Sequence, residues 1–245
     1  MASYGLHLAN LAEAKGFDLK GSSVKKIIVA AEPLSPVKRE KLERAWGAEV
    51  FDHFGMTEGA LVSCEGIGHH GLHVMDDMYF LEVVDEQTGA PVGDGEVGSL
   101  IVTPLWSNSM TPFLRWSSGD LVSITKNQEP SNEKPWSLFP VMRHARSTVG
   151  FFKVRGVNIN HADLEDAMFR IPEVVDFRAE VYNSATGNDV LHLHEETRNL
   201  NGDGVFDGVR KTFQVTPEVT LLPRGTIARE FEANIKAPRF IDKRG

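Results

Sequence analysis

Phe51-Asp52-His53-Phe54-Gly55-Met56-Thr57-Glu58-Gly59 is the stretch whose reading decides the fold. An apolar run from Ala48 to Phe54 meets a glycine and then a hydroxyl–carboxylate pair. That pattern predicts a strand that stops at a glycine turn and presents Thr57 and Glu58 at its end. Open α/β sheets bind ligands at the carboxyl ends of their strands. A hydroxyl beside a carboxylate suits a phosphate with its magnesium ion, because a hard cation takes oxygen ligands and bridges to phosphate. An ordinary strand end with a polar turn has the same appearance on these nine letters alone.

Upstream, residues 24–31 form a short apolar run centred on Ile27-Ile28-Val29, the pattern of a strand buried on both faces. Ser35 can cap the charged helix that runs on to Trp46, and Pro36 sits at its first position, where a missing N–H costs nothing. Strand, helix and strand in about thirty residues make a βαβ crossover and hence a parallel pair. Residues 2–15 carry Leu6, Ala9, Leu11 and Ala14 near helical spacing, with Gly16 placed as a C-cap.

Downstream the texture changes. Residues 79–84 and 98–103 are strand-like and flank the turn chemistry of Asp85-Glu86-Gln87-Thr88-Gly89 and Gly93-Asp94-Gly95. Residues 115–122 read as a further strand interrupted by Ser117-Ser118-Gly119-Asp120. This middle third predicts an antiparallel barrel or small sheet attached to the first layer. Residues 127–140 read as an exposed loop. Beyond it a β-α-β pattern follows: strands at 150–155, 174–182 and 217–222, and helices at 162–170 and 204–212. The fold class expected is therefore α/β plus α+β, with residues 1–145 as part of a large domain and 146–245 as a small α+β domain.

The chain has 245 residues, of which 41% are hydrophobic and 24% charged, an ordinary balance for a globular protein with a core. Its formal net charge of −8 argues against a nucleic-acid binder. The single cysteine, Cys64, excludes an internal disulfide and fits a reducing compartment. No apolar run approaches the ~20 residues of a membrane span, and no secretion signal opens the sequence. A cytoplasmic enzyme or binding protein is the expectation, with neither nucleic acid nor membrane as partner.

Five motifs stand in one order: Ala31-Glu32-Pro33-Leu34-Ser35; Phe54-Gly55-Met56-Thr57-Glu58-Gly59; Arg115-Trp116-Ser117-Ser118-Gly119-Asp120; Lys153-Val154-Arg155-Gly156-Val157-Asn158; and Lys236-Ala237-Pro238-Arg239-Phe240-Ile241-Asp242. In this order they resemble the adenylate-forming enzymes. Gly71-Leu72-His73-Val74 and the Gly-Val-Asn segment point to the phenylacetate–coenzyme A ligase branch. The resemblance implies an acid–thiol ligase: a small, often aromatic carboxylic acid reacts with ATP to give an acyl-adenylate, and coenzyme A then displaces AMP. Two other outcomes stay open, namely transfer to an amine or carrier protein, and a nucleotide-binding relative without catalysis.

The resemblance also assigns roles. Lys236 neutralises the two anions as they meet, a place where positive charge is most effective; a solvated lysine in a basic tail is the competing reading. Thr57 contacts phosphate and Glu58 holds Mg2+. Ala31, Glu32 and Pro33 line the adenine pocket with backbone, and Phe54 and Gly55 stand beside it; core packing is the alternative for Phe54. Asp120 accepts the ribose hydroxyls, as a carboxylate with several acceptor sites can, unless it is simply a turn aspartate. Arg146 reaches the nucleotide, although the family's Gly-Arg pair and acidic hinge pair are altered here to Ala145-Arg146-Ser147-Thr148. Cys64 with His69, His70 and His73 suggests zinc, but too few ligands are in reach for a closed tetrahedral site. The family's Ser/Thr/Gly-rich phosphate loop does not occur in this sequence. The resemblance thus covers the C-terminal half to two-thirds of such an enzyme, and a homodimer or a complementing N-terminal segment is the expected partner.

Overall fold

The computed structural model describes residues 1–32, 34–106, 109–126, 138–145, 150–184, 187–198, 203–233 and 239–244. They fall into two compact units whose chain segments interleave. The first unit comprises Met1–Ala2, Ser23–Leu34 and Ala48–Ser147; the second comprises Ser3–Ser22, Ser35–Gly47 and Thr148–Gly245. Residues 3–22 and 35–47 therefore group with the C-terminal elements rather than with their chain neighbours.

In chain order the elements begin with α1 (Ala2–Ala14), β1 (Lys26–Val29), α2 (Pro36–Trp46), β2 (Glu49–Met56), β3 (Ala60–Glu65) and β4 (Leu72–Val74). There follow β5 (Tyr79–Val84), β6 (Val97–Pro104), β7 (Trp116–Thr125), β8 (Val141–His144), β9 (Phe151–Val154) and β10 (Val157–Asn160). The remainder are α3 (His161–Phe169), β11 (Val174–Asn183), β12 (Asp189–Thr197), α4 (Asp203–Phe213), β13 (Glu218–Leu222), α5 (Thr226–Ala233) and β14 (Phe240–Asp242). None of the described helices is long and apolar enough to cross a membrane.

The first unit is one eight-stranded sheet in the order β1-β2-β3-β4-β8-β7-β6-β5. β1 and β2 run parallel with Ile28 opposite Phe51, and the helix between them in the chain starts where its signals place it: Ser35 Oγ accepts from Lys38 N at 3.2 Å, and Gly47 closes it at φ 64°. All other neighbours are antiparallel. The middle third is thus no separate sheet but a continuation of the first. Two expectations fail locally. β1 is the sheet's edge strand and is not covered on both faces, for Ile28 stays 64% exposed. Nor does the chain stop at Gly55: β2 continues to Met56, and the turn is Thr57–Gly59. A Cβ at Gly55 would lie 2.4 Å from Ala60 O, so this glycine lets two hairpin strands close on each other instead of ending one. The core of the sheet gathers Val62, Leu72, Val74, Tyr79, Leu100, Val102, Val122, Ile124 and Met142. Each such side chain removed from water stabilises the unit by about 1.5–3 kcal/mol before conformational entropy is counted.

The second unit has a four-stranded sheet, β13-β12-β11-β14, and the β9–β10 hairpin. Arg155 and Gly156 turn that hairpin with φ of 51° and 85°, the left-handed pair that a two-residue turn requires. Asn160 caps α3 by accepting from Ala162 N at 2.8 Å. Leu164, Met168 and Phe169 of α3 and Phe177, Ala179, Leu191 and Leu193 of the sheet are all buried, with Phe169 edge-on to Phe177. A charged network crosses this interior. Lys38 pairs with Glu165 at 2.8 Å, Glu165 with Arg239 at 3.3 Å, and Arg239 with Asp176, while Arg239 also donates to Phe177 O at 2.7 Å. Two neighbouring carboxyls on β12 differ. Glu196 accepts from the Gly225 and Ile227 N–H groups at the start of α5, whereas Glu195 is fully buried and, among the described residues, neither of its oxygens has a hydrogen-bond partner.

Candidate functional site

The parallel pair sets the first edge of the site. Val29 stands opposite Asp52, so Ala31 and Glu32 leave β1 at the same carboxyl end at which Phe54 and Gly55 extend β2 beyond the parallel register. Ala31 adopts φ 70°, a left-handed conformation uncommon outside glycine and found at functional turns. Beyond Gly55 the turn carries Thr57 exposed and Glu58 half-buried. Its last residue, Gly59, is pinned from below: its carbonyl accepts from the buried Tyr79 hydroxyl.

Asp120 arrives from the other half of the sheet. On β6 one residue separates Ser99 from Ile101, while on β7 three residues separate their partners, Leu121 and Ser117. The surplus forms a bulge with Gly119 at φ 79° and Asp120 N donating to Ser118 Oγ at 3.1 Å. Bulges re-aim side chains out of the pleat. The interruption legible at Ser117–Asp120 is this bulge. Among the described residues the Asp120 carboxylate accepts no hydrogen bond, and it is half-buried.

Its neighbour is His144. β7 and β8 pair with Val122 opposite His144, so Asp120, two residues from Val122, is the diagonal neighbour of the imidazole on the same face. The ring lies edge-on to Phe54 with centroids 4.7 Å apart. Although His144 keeps solvent-accessible area, the protein around it desolvates the ring and holds its pKa below the ordinary histidine value, against the opposing pull of Asp120. The structure therefore brings Phe54, His144 and Asp120 together. His144 is the site residue that sequence reasoning missed; its position at a strand end two residues before Arg146 was the available signal. Pro33, Arg146 and Lys236 lie outside the described residues.

Among the described residues no group of three or more His, Cys, Asp or Glu could hold a metal ion. Cys64 sits between His53 and His73 in one row across β2, β3 and β4. Burial raises the thiol's pKa and lowers that of His53, so this row belongs to a packed sheet. His69 is taken by Glu65 at 3.2 Å and Glu49 at 3.3 Å. Glu58 remains a single carboxylate on a turn, which fits magnesium because that ion keeps most of its shell as water and phosphate oxygens.

Residues 4–105 match the family model of AMP-binding enzymes. Phenylacetate-coenzyme A ligase of Thermus thermophilus is 26% identical over 269 residues, covering 99% of this chain and 59% of that protein. The Pseudomonas putida protein of the same name is 28% identical, covering 99% of this chain and 56% of its own length. The chain thus spans somewhat more than half of these relatives. Among solved structures, 2-hydroxyisobutyryl-CoA ligase in the postadenylation state with R3-HIB-AMP superposes with a TM-score of 0.79 at 23% identity, over 99% of this chain and 53% of the other. An anthranilate CoA ligase in complex with anthranoyl-AMP gives 0.58 at 17% identity, over 90% of this chain and 44% of the other. These likenesses establish the fold. By fold, by the matched segment and by the order of its motifs, the chain resembles the adenylate-forming enzymes on the side of the phenylacetate–coenzyme A ligases, over the C-terminal half to two-thirds of their length.

Proposed function

We propose that this chain carries the back part of an ATP-dependent ligase that activates an aromatic or other small carboxylic acid as an acyl-adenylate and passes it to coenzyme A. The observation that carries this reading is the half-buried Asp120 carboxylate, lifted on a bulge beside Phe54 and His144, with no donor to it among the described residues. An unsatisfied acceptor at a strand end suits a diol such as the ribose of a nucleotide. Phe54 offers the base an apolar face, and the backbone that follows β1 at Ala31 and Glu32 offers it hydrogen-bonding groups. Thr57 contacts phosphate, Glu58 holds the Mg2+ that spreads its charge, and Arg146 reaches the nucleotide. Lys236 brings an ammonium to the point where the substrate carboxylate meets the α-phosphate, offsetting the repulsion between two anions in the transition state.

On this reading residues 1–145 serve as the back of the large domain and 146–245 as the small mobile one. The phosphate loop comes from an N-terminal segment of this protein or a complementing chain, or the site is completed in a homodimer. Acid-dependent pyrophosphate–ATP exchange, with and without coenzyme A, tests the proposal. Exchange that vanishes in Lys236→Ala supports it. AMP binding without exchange for any aryl acid, even with a complementing segment supplied, would leave a nucleotide-binding module instead. Thioester formation separates coenzyme A from an amine or carrier-protein acceptor.

A further inference from the structure

The second unit has a cavity of about 390 Å³, lined by α1, the chain after it, α2 and the α3–β11 connection. Its size falls in the range of small-ligand sites. Its lining combines the apolar Phe17, Phe169 and Ile171 with the cationic Lys41, Arg44 and Arg198.

Among the described residues these cations have few anionic partners. The Lys41 ammonium donates to Val174 O at 2.9 Å and Val175 O at 3.0 Å and lies 4.0 Å from the centre of the Phe169 ring. Two of its three N–H bonds are thereby used. Burial lowers its pKa to about 7; Arg239, Arg198 and Arg44 push the same way, and Asp176 alone opposes them. Yet Asp176 is already held by Arg239. The cavity's Glu13 is shared by two guanidiniums, Arg198 at 3.5 Å and Arg224 at 3.0 Å, and Asp18 accepts from the backbone of Lys20. A desolvated ammonium ringed by arginines, with its nearby carboxylates engaged, stabilises an incoming anion more than water would.

We propose that this cavity is a binding site for a small phosphate-bearing ligand, whose charge Lys41, Arg44 and Arg198 neutralise while Phe17, Phe169 and Ile171 cover its uncharged part. The site stands on residues of the second unit alone and does not depend on the role given to Asp120. Because a bound anion draws a proton onto Lys41, binding near neutral pH takes up protons; the charged groups that act on the ammonium are Asp176, Arg239, Arg198 and Arg44, and Glu13 also lines the cavity.

Calorimetry on the full chain at fixed ionic strength tests this, with inorganic phosphate, coenzyme A and its dephospho form as probes. Saturable phosphate binding is expected, with a heat that varies with the buffer's ionisation enthalpy. Lys41→Met, which keeps the stem against Phe169, weakens it at least ~10-fold, as does Arg198→Gln, in line with loss of a charge-assisted hydrogen bond. Asp120→Ala leaves phosphate binding unchanged. Tighter binding of coenzyme A than of its dephospho form identifies a terminal phosphate monoester as the ligand; binding of inorganic phosphate with no saturable binding of either nucleotide identifies free phosphate. Absence of saturable binding, equal affinity in both cavity variants, or loss of binding in Asp120→Ala overturns the proposal. Should Lys41→Met fail to fold, Arg198→Gln decides alone.

Discussion

Among the described residues neither Asp120 nor Glu195 has a hydrogen-bond donor to its carboxyl, but solvent reaches only one of them. Asp120 is half-buried on a bulge, and its acceptor sites are available to a ligand. Replacing it by alanine should weaken AMP binding by about 2 kcal/mol, roughly 30-fold, the loss of hydrogen bonds to a charged acceptor; unchanged calorimetric affinity would refute its ribose role. Glu195 is fully buried, and desolvation raises its pKa from 4.5 to about 8. The folded chain therefore holds a proton that the unfolded chain has released. This group's contribution is complete below the unfolded pKa and falls by about 1.4 kcal/mol per pH unit up to the folded one. Lys41 has the opposite sign: its folded pKa, near 7, lies below the ordinary 10.5, so stability recovers as pH rises through that interval. Urea unfolding of Glu195→Gln against wild type isolates the first effect. The difference between them should shift in favour of the variant from about pH 5 to about pH 8, and a pH-independent difference would show that Glu195 ionises freely.

Elements were legible where the letters that start and stop them were local. Ser35-Pro36 and Gly47 bracket α2, and Asn160 caps α3, because capping depends on a few adjacent residues. Asn160→Ala should cost about 1 kcal/mol in thermal or urea unfolding, the usual worth of such a cap. β12 escaped notice although Leu191, His192, Leu193 and His194 alternate as a strand should; the pair Glu195-Glu196 that follows argues for solvent, and only tertiary structure buries both. β3, β4, β8, β10, β14 and α5 were missed as well; of these, β8 and β14 are short segments whose partners in β4 and β11 lie far off in sequence. The same distance hid the company kept by Arg239, which follows the Lys236 motif by three residues but is fixed by Asp176 and Glu165. Arg239→Met leaves those two carboxylates buried with one cation fewer, and a loss of about 3–5 kcal/mol is expected from equilibrium unfolding. A change below 1 kcal/mol would mean that Lys38 and water replace it.

At the scale of the molecule, the candidate site was legible as a set of motifs but not as a surface. Phe54 and Asp120 were read from separate strands, and neither letter shows that His144 stands between them. That juxtaposition depends on where one short strand inserts. β8 occupies the middle of the eight-stranded order, with β4 on one side and β7 on the other. Leu72 faces Met142 and His73 faces Val141 on the first side, while the β7 side pairs from Val122–His144 to Thr125–Val141. Four residues thus stitch two meanders, β1–β4 and β5–β7, each built from neighbours in sequence. Within each meander paired residues such as Lys26 and Glu49 or Val97 and Ser123 lie nearer in sequence, whereas the stitch must bring together segments almost seventy residues apart, a contact that forms late because loop closure precedes its reward. The sheet should consequently open as two foldons along β8 rather than fray from its edges. Native-state amide exchange should find one shared opening free energy within each meander and a lower one for the amides of residues 141–144. Because Asp120 and Phe54 lie on opposite sides of that seam, the opening which exposes β8 would also take the proposed nucleotide site apart, and a bound nucleotide should slow exchange there first.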